Sequence, residues 1–371
     1  MLAPVKHSQA ANGRCHAEVW RTCRQHWNAT FNSCTCSSFC FLAPPTSQYL
    51  RHCYIPKLTQ LEKMHTVIAN LKRPDTKTSS PPSISTRAFI QWLPDPPSEP
   101  TSTEVLTSRE RFFVDIRILK EAGSSSLSSH IDWAFAGRSE SSKDEATGKT
   151  LARWQHTIDS RFLADPESVV DQAEMLPEDP ETGIALEKGS MVNPATGKET
   201  AYVEGWRETE VEHVPEPSRD VLEGFARDLE RCGVRVVECG SERKSVVGGD
   251  RDSLVDRSLS AQSVLACCVL QHEHAARRSR GMVVRLGQFC QGMLRVGDEF
   301  AAERWEWKAQ SGWEKVFAIG DPKMNMPCDV ACYQAAQKLR AGNEIVYGPN
   351  ETWQCVEDEQ WQPVEERSSV Q

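Results

Sequence analysis

The fold is decided by the stretch Phe112-Phe-Val-Asp-Ile-Arg-Ile-Leu119. Within it, Val114, Ile116 and Ile118 alternate with aromatic or charged residues. A period of two residues is typical of a β-strand, because successive side chains point to opposite faces of the sheet. The stretch therefore predicts an antiparallel sheet that has one apolar face.

Around this stretch, a block of short motifs occurs twice. The first copy continues with Asp132-Trp-Ala-Phe-Ala-Gly-Arg138, Arg153-Trp154 and Trp206, and the second contains Gly292-Met-Leu-Arg-Val-Gly297, Arg304-Trp305 and Trp353. A period above about 100 residues is too long for a solenoid and favours a duplicated domain. The two Arg-Trp pairs suggest a shared structural device, such as an arginine stacked on a tryptophan at a barrel floor.

Many short candidate strands, spaced by roughly 8–12 residues, favour an all-β protein made of two meander barrels in tandem. We place a Cys-rich basic extension at 1–83, barrels at 84–210 and 261–365, a connector at 211–260 and a tail at 366–371. The connector predicts a helix, since Ser218 is a good N-cap and Leu222, Phe225 and Leu229 share one helical face.

The extension differs in composition from the rest of the chain. Residues 1–83 carry 10 Lys and Arg against 3 Asp and Glu, whereas residues 84–371 carry 33 against 49. Cys23-x-x-His26 with Cys34-x-Cys36-x3-Cys40 could hold zinc, and a basic, acid-poor segment could be a transit peptide. We favour a disordered or weakly helical extension over both.

The body of the chain excludes several classes of function. Its acidic balance argues against a nucleic-acid-binding surface. With no run of 18 apolar residues and no apolar signal core, neither a membrane span nor export is expected, and the 14 cysteines should be free thiols. Neither a nucleophile elbow nor a phosphate-binding loop occurs, so we expect no enzyme and no bound cofactor.

Tryptophans are the candidate interior residues. Those predicted to face a barrel interior are Trp92, Trp133, Trp154 and Trp305. Core packing is favoured for them over the lining of a ligand cavity. His156 and His130 could ligate haem iron from inside a barrel, but no partner motif supports this, and a half-buried or exposed histidine on a strand is expected.

Four longer motifs resemble a fungal, Hri-type protein family, whose yeast member is named for interacting with a casein kinase 1. They are Arg87-Ala-Phe-Ile-Gln-Trp-Leu-Pro-Asp-Pro-Pro-Ser-Glu-Pro-Thr-Ser-Thr103, Asp132-Trp-Ala-Phe-Ala-Gly137, Gly189-Ser-Met-Val-Asn-Pro-Ala-Thr-Gly197 and Gly281-Met-Val-Val-Arg-Leu-Gly-Gln-Phe-Cys-Gln-Gly292. The resemblance covers about residues 84–365 and implies two lipocalin-like barrels in tandem. It also implies a protein of cytoplasm and nucleus without catalytic residues, whose partners are a casein kinase 1 and a secretory translocation subunit.

Two functions remain open at this point. The leading hypothesis is a non-enzymatic protein-interaction protein, and the alternative is a carrier of a small apolar ligand or haem in a barrel cavity. They differ in one structural respect, because bulky side chains that fill a barrel interior leave no room for a ligand.

Overall fold

The first sheet of the computed structural model closes on itself. Its strands are β1 (Ser83–Trp92), β2 (Thr101–Thr107), β3 (Phe112–Lys120), β4 (Leu127–Lys143), β5 (Thr150–Asp159), β6 (Asp171–Asp179), β7 (Ile184–Asn193) and β8 (Lys198–Thr209). Each strand pairs antiparallel with its neighbour in sequence, and β1 also pairs with β8. Closure removes the edges of the sheet and creates an interior.

The structure describes residues 81–121, 127–215, 217–237, 265–334, 339–348 and 351–361. All of them belong to one compact unit, Pro74–Gln371. The predicted zinc ligands and transit peptide of the extension lie outside the described residues, as do the tail and residues 238–264.

The second sheet has eight strands in a linear order, with β14 and β9 at its two ends. They are β9 (Arg235–Val237), β10 (Leu265–His274), β11 (Ser279–Leu286), β12 (Phe289–Val296), β13 (Glu299–Lys308), β14 (Gly312–Ile319), β15 (Glu344–Val346) and β16 (Thr352–Trp361). Strand β10 pairs with β16, as β1 pairs with β8 in the first sheet. The described part of the chain is thus mostly β.

The predicted connector contributes to this second sheet. Helix α1 (Arg219–Arg231) begins directly after Ser218, and Gly233 follows it with φ 76°. A positive φ suits glycine, which has no Cβ to clash. Strand β9 then pairs with β15, and Leu229 packs in the core of the second sheet. The region is therefore part of a folded unit and not only a link.

The alternation in β3 places its apolar face outside the barrel. Val114, Ile116 and Ile118 are fully buried, yet they pack against the second sheet, where they meet residues such as Val284 and Met293. We call this apolar contact between the two sheets the seam. Burial of apolar area at the seam is a main source of stability for the pair of sheets.

Polar contacts fix the seam at both margins. Glu357 of β16 accepts a hydrogen bond from Ser108 Oγ at 2.6 Å and another from the backbone N–H of Arg109 at 3.1 Å. Arg304 of β13 donates to the carbonyl oxygen of Ile116 at 2.7 Å and to Ser102 Oγ at 3.0 Å. The barrel and the second sheet are thus joined by directional bonds as well as by apolar packing.

The two Arg-Trp pairs do not share one structural role. Arg304 is buried in the seam, whereas Arg153 is exposed on β5. The shared stacking device expected from the sequence is therefore wrong, because one arginine bonds to backbone across an interface while the other faces solvent.

The opposite face of the second sheet is filled by the chain itself. Residues 321–334, here called the plug, include the short helix α2 (Cys328–Cys332), and they pack with Trp353 and Ile345 in one core. The fully buried ring of Trp353 lies so close to Gly281 that a Cβ there would come within 2.2 Å of it. This face of the sheet is a packed core.

Candidate ligand-binding site in the closed barrel

The interior of the closed barrel contains a cavity of about 310 Å³. Its deep part is lined by the buried residues Phe113, Asp115, Arg117, Phe135, Asp171 and Glu187. Exposed residues of its lining, among them Ser141, Thr150, Arg207 and Glu208, mark its mouth. This volume lies at the lower end of the range, about 300–1,000 Å³, for small-molecule sites.

The wall at the closed end is a network of arginines and carboxylates. Arg117 donates to Asp115 Oδ2 at 3.0 Å and to Glu204 Oε1 at 3.0 Å. Arg87 also bonds to Glu204, and it forms a second ion pair with Glu99. Burial opposes ionisation of Glu204, but the guanidinium groups of Arg117 and Arg87 outweigh it and lower the pKa of this carboxyl.

Glu187 is a buried carboxyl of the cavity wall and has no ion-pair partner among the described residues. Burial raises its pKa well above the ordinary value, and the nearby charges of Glu204 and Asp171 add to this. Its two oxygens accept hydrogen bonds from the Tyr202 hydroxyl at 2.9 Å and from Trp206 Nε1 at 3.0 Å. Gly189 makes room for Tyr202, since a Cβ there would lie 2.4 Å from the hydroxyl oxygen.

His156 lies between two carboxylates in the barrel interior. Its Nδ1 is 2.7 Å from Asp159 Oδ2 and its Nε2 is 3.2 Å from Asp171 Oδ2. Burial opposes the charged imidazolium, but the hydrogen bonds to both carboxylates outweigh it and raise the pKa of His156. Because both ring nitrogens are engaged, neither offers a lone pair to haem iron. The expected half-buried or exposed histidine is wrong for His156, which is fully buried.

Two polar atoms of the cavity-lining residues have no hydrogen-bond partner among the described residues. They are Asp115 Oδ1 and Ser139 Oγ. Both residues are buried, with 2% and 5% of their surface exposed. Buried polar atoms are nearly always hydrogen-bonded, so these two indicate where a bound molecule could donate.

The four predicted interior tryptophans occupy different environments. Trp154 lines the cavity, and buried Trp133 packs with Phe135 and donates to Asp159 Oδ1 at 2.9 Å. Trp92 is half-buried and packs edge-on against Tyr202. Trp305 lies on the second sheet, where it packs against the core on the plug side and donates to Glu303.

Sequence reasoning missed the charged residues of the interior. Arg87, Asp115, Glu187 and Glu204 come from four different strands and form no local motif. The one available signal was the β3 alternation, in which Asp115 and Arg117 share a face with Phe113. Because charged residues on one face of a strand usually face solvent, this face of β3 did not indicate a buried network.

Other kinds of site were sought in the described part of the chain. It contains no group of three or more His, Cys, Asp or Glu residues arranged to hold a metal ion. None of its helices is long and apolar enough to cross a membrane. Six cysteines in the described ranges are buried free thiols, namely Cys267, Cys268, Cys290, Cys328, Cys332 and Cys355.

Fold and site together define a closed eight-stranded antiparallel β-barrel with a polar internal cavity, packed on a second eight-stranded sheet. A family model described as Protein HRI1 matches residues 83–357, and the chain therefore belongs to the HRI1 protein family. The crystal structure of the uncharacterized protein YLR301w from Saccharomyces cerevisiae is similar at 17% identity and a TM-score of 0.49, over 76% of this chain and 100% of that one. A comparison with curated proteins found no match.

Proposed function

We propose that this protein is a non-enzymatic binding protein that holds a small molecule in its closed barrel. The observation that carries the proposal is the cavity of about 310 Å³, which has both an aromatic and a polar lining. An eight-stranded barrel is just wide enough for one small ligand. The plugged face of the second sheet, by contrast, is packed with the chain's own residues.

Native mass spectrometry of the full chain, isolated gently from cells that make it, tests this proposal. An added mass that is lost on denaturation is expected. Ala152 lines the cavity, so Ala152→Phe should fill it and abolish the added mass. Gln155→Phe, at an exposed position on the same strand, is the matched control and should keep it. An added mass that survives Ala152→Phe would contradict binding in the barrel.

A protein-interaction role is our second proposal. Because the inner face of the second sheet is filled, that half of the protein could bind a partner only through its surface. The resemblance implies a casein kinase 1 and a secretory translocation subunit as partners, and cytoplasm and nucleus as the location. Interferometry with purified casein kinase 1, against an unrelated kinase, tests this role, and equal or absent binding to both would contradict it.

We further propose that the second sheet is a lipocalin-like barrel, related to the first by duplication. In support, both sheets are antiparallel meanders whose first long strand pairs with the last. A crystal structure of the full chain would test this proposal. It requires closure between β14 and the other end of the sheet, and an open edge there would contradict it.

A further inference from the structure

The deep part of the cavity is lined by several carboxyl groups and by a cation that is already engaged. Asp115, Asp171 and Glu187 line it together with one cation, Arg117. The guanidinium of Arg117 is already held by two carboxylates, those of Asp115 and Glu204. An anionic ligand would therefore meet carboxyl groups in a poorly solvated site, with no unengaged cation there to offset its charge.

Asp115 is the point at which a ligand could bond directly. Its Oδ2 accepts from Arg117, and its Oδ1 has no hydrogen-bond partner among the described residues although the side chain is buried on the cavity wall. Burial raises the pKa of the Asp115 carboxyl, and the Arg117 guanidinium opposes this rise. In the ionised form that Arg117 favours, the unpaired oxygen is only an acceptor, so the missing group is a donor. Among donors, a charged N–H group gives the strongest bond to a carboxylate.

Aromatic rings flank this oxygen in the direction of the mouth. Phe135 lies directly opposite Asp115 in the strand register, and Phe113 is on the same face of β3. Trp154 lines the cavity further along, opposite Ser139 in the register. Aromatic faces attract cations and also pack well against an apolar body.

From this arrangement we infer that the ligand is an organic amine, whose ammonium group bonds to Asp115 Oδ1 and whose apolar body lies along Phe113 and Trp154. The inference rests on the proposed binding function and names the class of its ligand. The unpaired Oδ1 requires an N–H donor, so a primary amine should bind better than a quaternary ammonium. Quaternary groups carry charge but cannot donate.

The test is calorimetric titration of the full chain at pH 7 with four probes of similar shape. They are 2-phenylethylamine, the neutral 2-phenylethanol, the anionic 3-phenylpropionate, and the trimethylated ammonium analogue of the amine. Hydrogen bonds to charged groups are worth enough for the amine to bind about 10-fold or more tighter than the alcohol. The trimethylated probe should be weaker than the amine, and the anion weakest.

Two variants test whether Asp115 causes the preference for the amine over the alcohol. Asp115→Asn should remove most of the preference for amine over alcohol. Asp159→Asn is the matched control, because this carboxylate is also buried in the barrel but is bonded to His156 and Trp133 and does not line the cavity. It should keep the preference. If Asp115→Asn fails to fold, the comparison of the amine with its trimethylated analogue on the unaltered chain still decides the matter.

The outcomes separate the inference from the function on which it rests. Equal binding of alcohol and amine would overturn the amine assignment, since a water molecule or a neutral donor would then satisfy Asp115, and would leave the binding function standing. Tighter binding of the anion would overturn it as well. Binding of none of the four probes would overturn the amine assignment, whereas the proposed function is decided separately by the mass that is lost on denaturation.

Discussion

The inner face of the barrel and the inner face of the second sheet are filled in opposite ways. The barrel places a large group of its aliphatic side chains outside, at the seam, and its interior contains ion pairs, aromatic rings and a cavity. The second sheet folds the plug onto its inner face and packs it with aliphatic, sulfur-containing and aromatic side chains. An antiparallel meander therefore does not determine which of its two faces forms the apolar core.

The sharpest test of this contrast is to truncate one tryptophan in each region. Trp353 is fully buried on the plugged side, so Trp353→Ala should lower the free energy of unfolding by about 3–5 kcal/mol. Trp154 is half-buried beside existing space, and Trp154→Ala should cost about 1 kcal/mol. Urea denaturation of both variants measures the difference. Equal losses would mean that the two interiors are packed alike.

In the polar interior of the barrel, we expect the contribution of His156 to stability to depend on pH. Replacing His156 by Gln leaves Asp159 and Asp171 without their buried cation, which should cost about 3 kcal/mol near pH 5. Because the folded-state pKa of His156 is raised, its stabilisation is complete below its unfolded pKa and is lost as pH rises through the folded pKa. The deficit of the variant should therefore shrink above about pH 6.5, as urea denaturation from pH 5 to 9 would show. A deficit that does not vary with pH would contradict a charged histidine.

The plug contains a carboxyl group, Asp329, whose raised pKa reduces stability, whereas the raised pKa of His156 increases it. Burial raises the pKa of Asp329 to about 6, although the Tyr347 hydroxyl donates to it at 3.2 Å. A raised pKa in a carboxyl group costs stability as pH rises from its unfolded pKa to its folded pKa. Asp329→Asn should therefore be stabilised relative to the unaltered chain by about 3 kcal/mol at pH 8, and by little at pH 4. Denaturation curves at the two pH values check this, and a gain already present at pH 4 would refute the titration argument.

The smallest expected effect compares the two Arg-Trp pairs. Arg304→Met leaves the Ile116 carbonyl oxygen and Ser102 without their buried donor, which should cost about 2 kcal/mol. Arg153→Met, at an exposed position, should change stability by about 0.5 kcal/mol or less. Thermal unfolding of the two variants measures both, and similar losses would restore the idea of a shared role.

The sequence predicted strands better than it predicted their environment. The alternation from Phe112 to Leu119 identified β3, and the helix after Ser218 lies where the capping and spacing rules placed it. The direction of the apolar face could not be predicted, because Val114 and Ile116 are equally buried whether they point into a barrel or onto another sheet. The outcome depends on a partner sheet about 150 residues away, which no local pattern encodes.

The candidate site was less predictable than the fold. Trp154 was chosen for its residue type and lines the cavity, but the carboxylates that give the cavity its charge come from separate strands. The repeated motifs also mislead in detail. Arg153 lies on the fifth strand of the first sheet, whereas Arg304 lies on the fourth of the consecutive strands from β10 onward. Similar short motifs can thus serve different positions in related topologies.

The apolar seam outside the barrel affects which residues of this protein can change during evolution. Side chains at the seam must fit two sheets at once, so substitutions there are constrained from both sides. Side chains of the barrel interior contribute less to the shared apolar core, and they can change charge in compensating pairs. Among members of the family, we therefore expect the residues that line the cavity to vary more than those of the seam. Such a barrel could acquire new specificities during evolution without first rebuilding the contact that stabilises it.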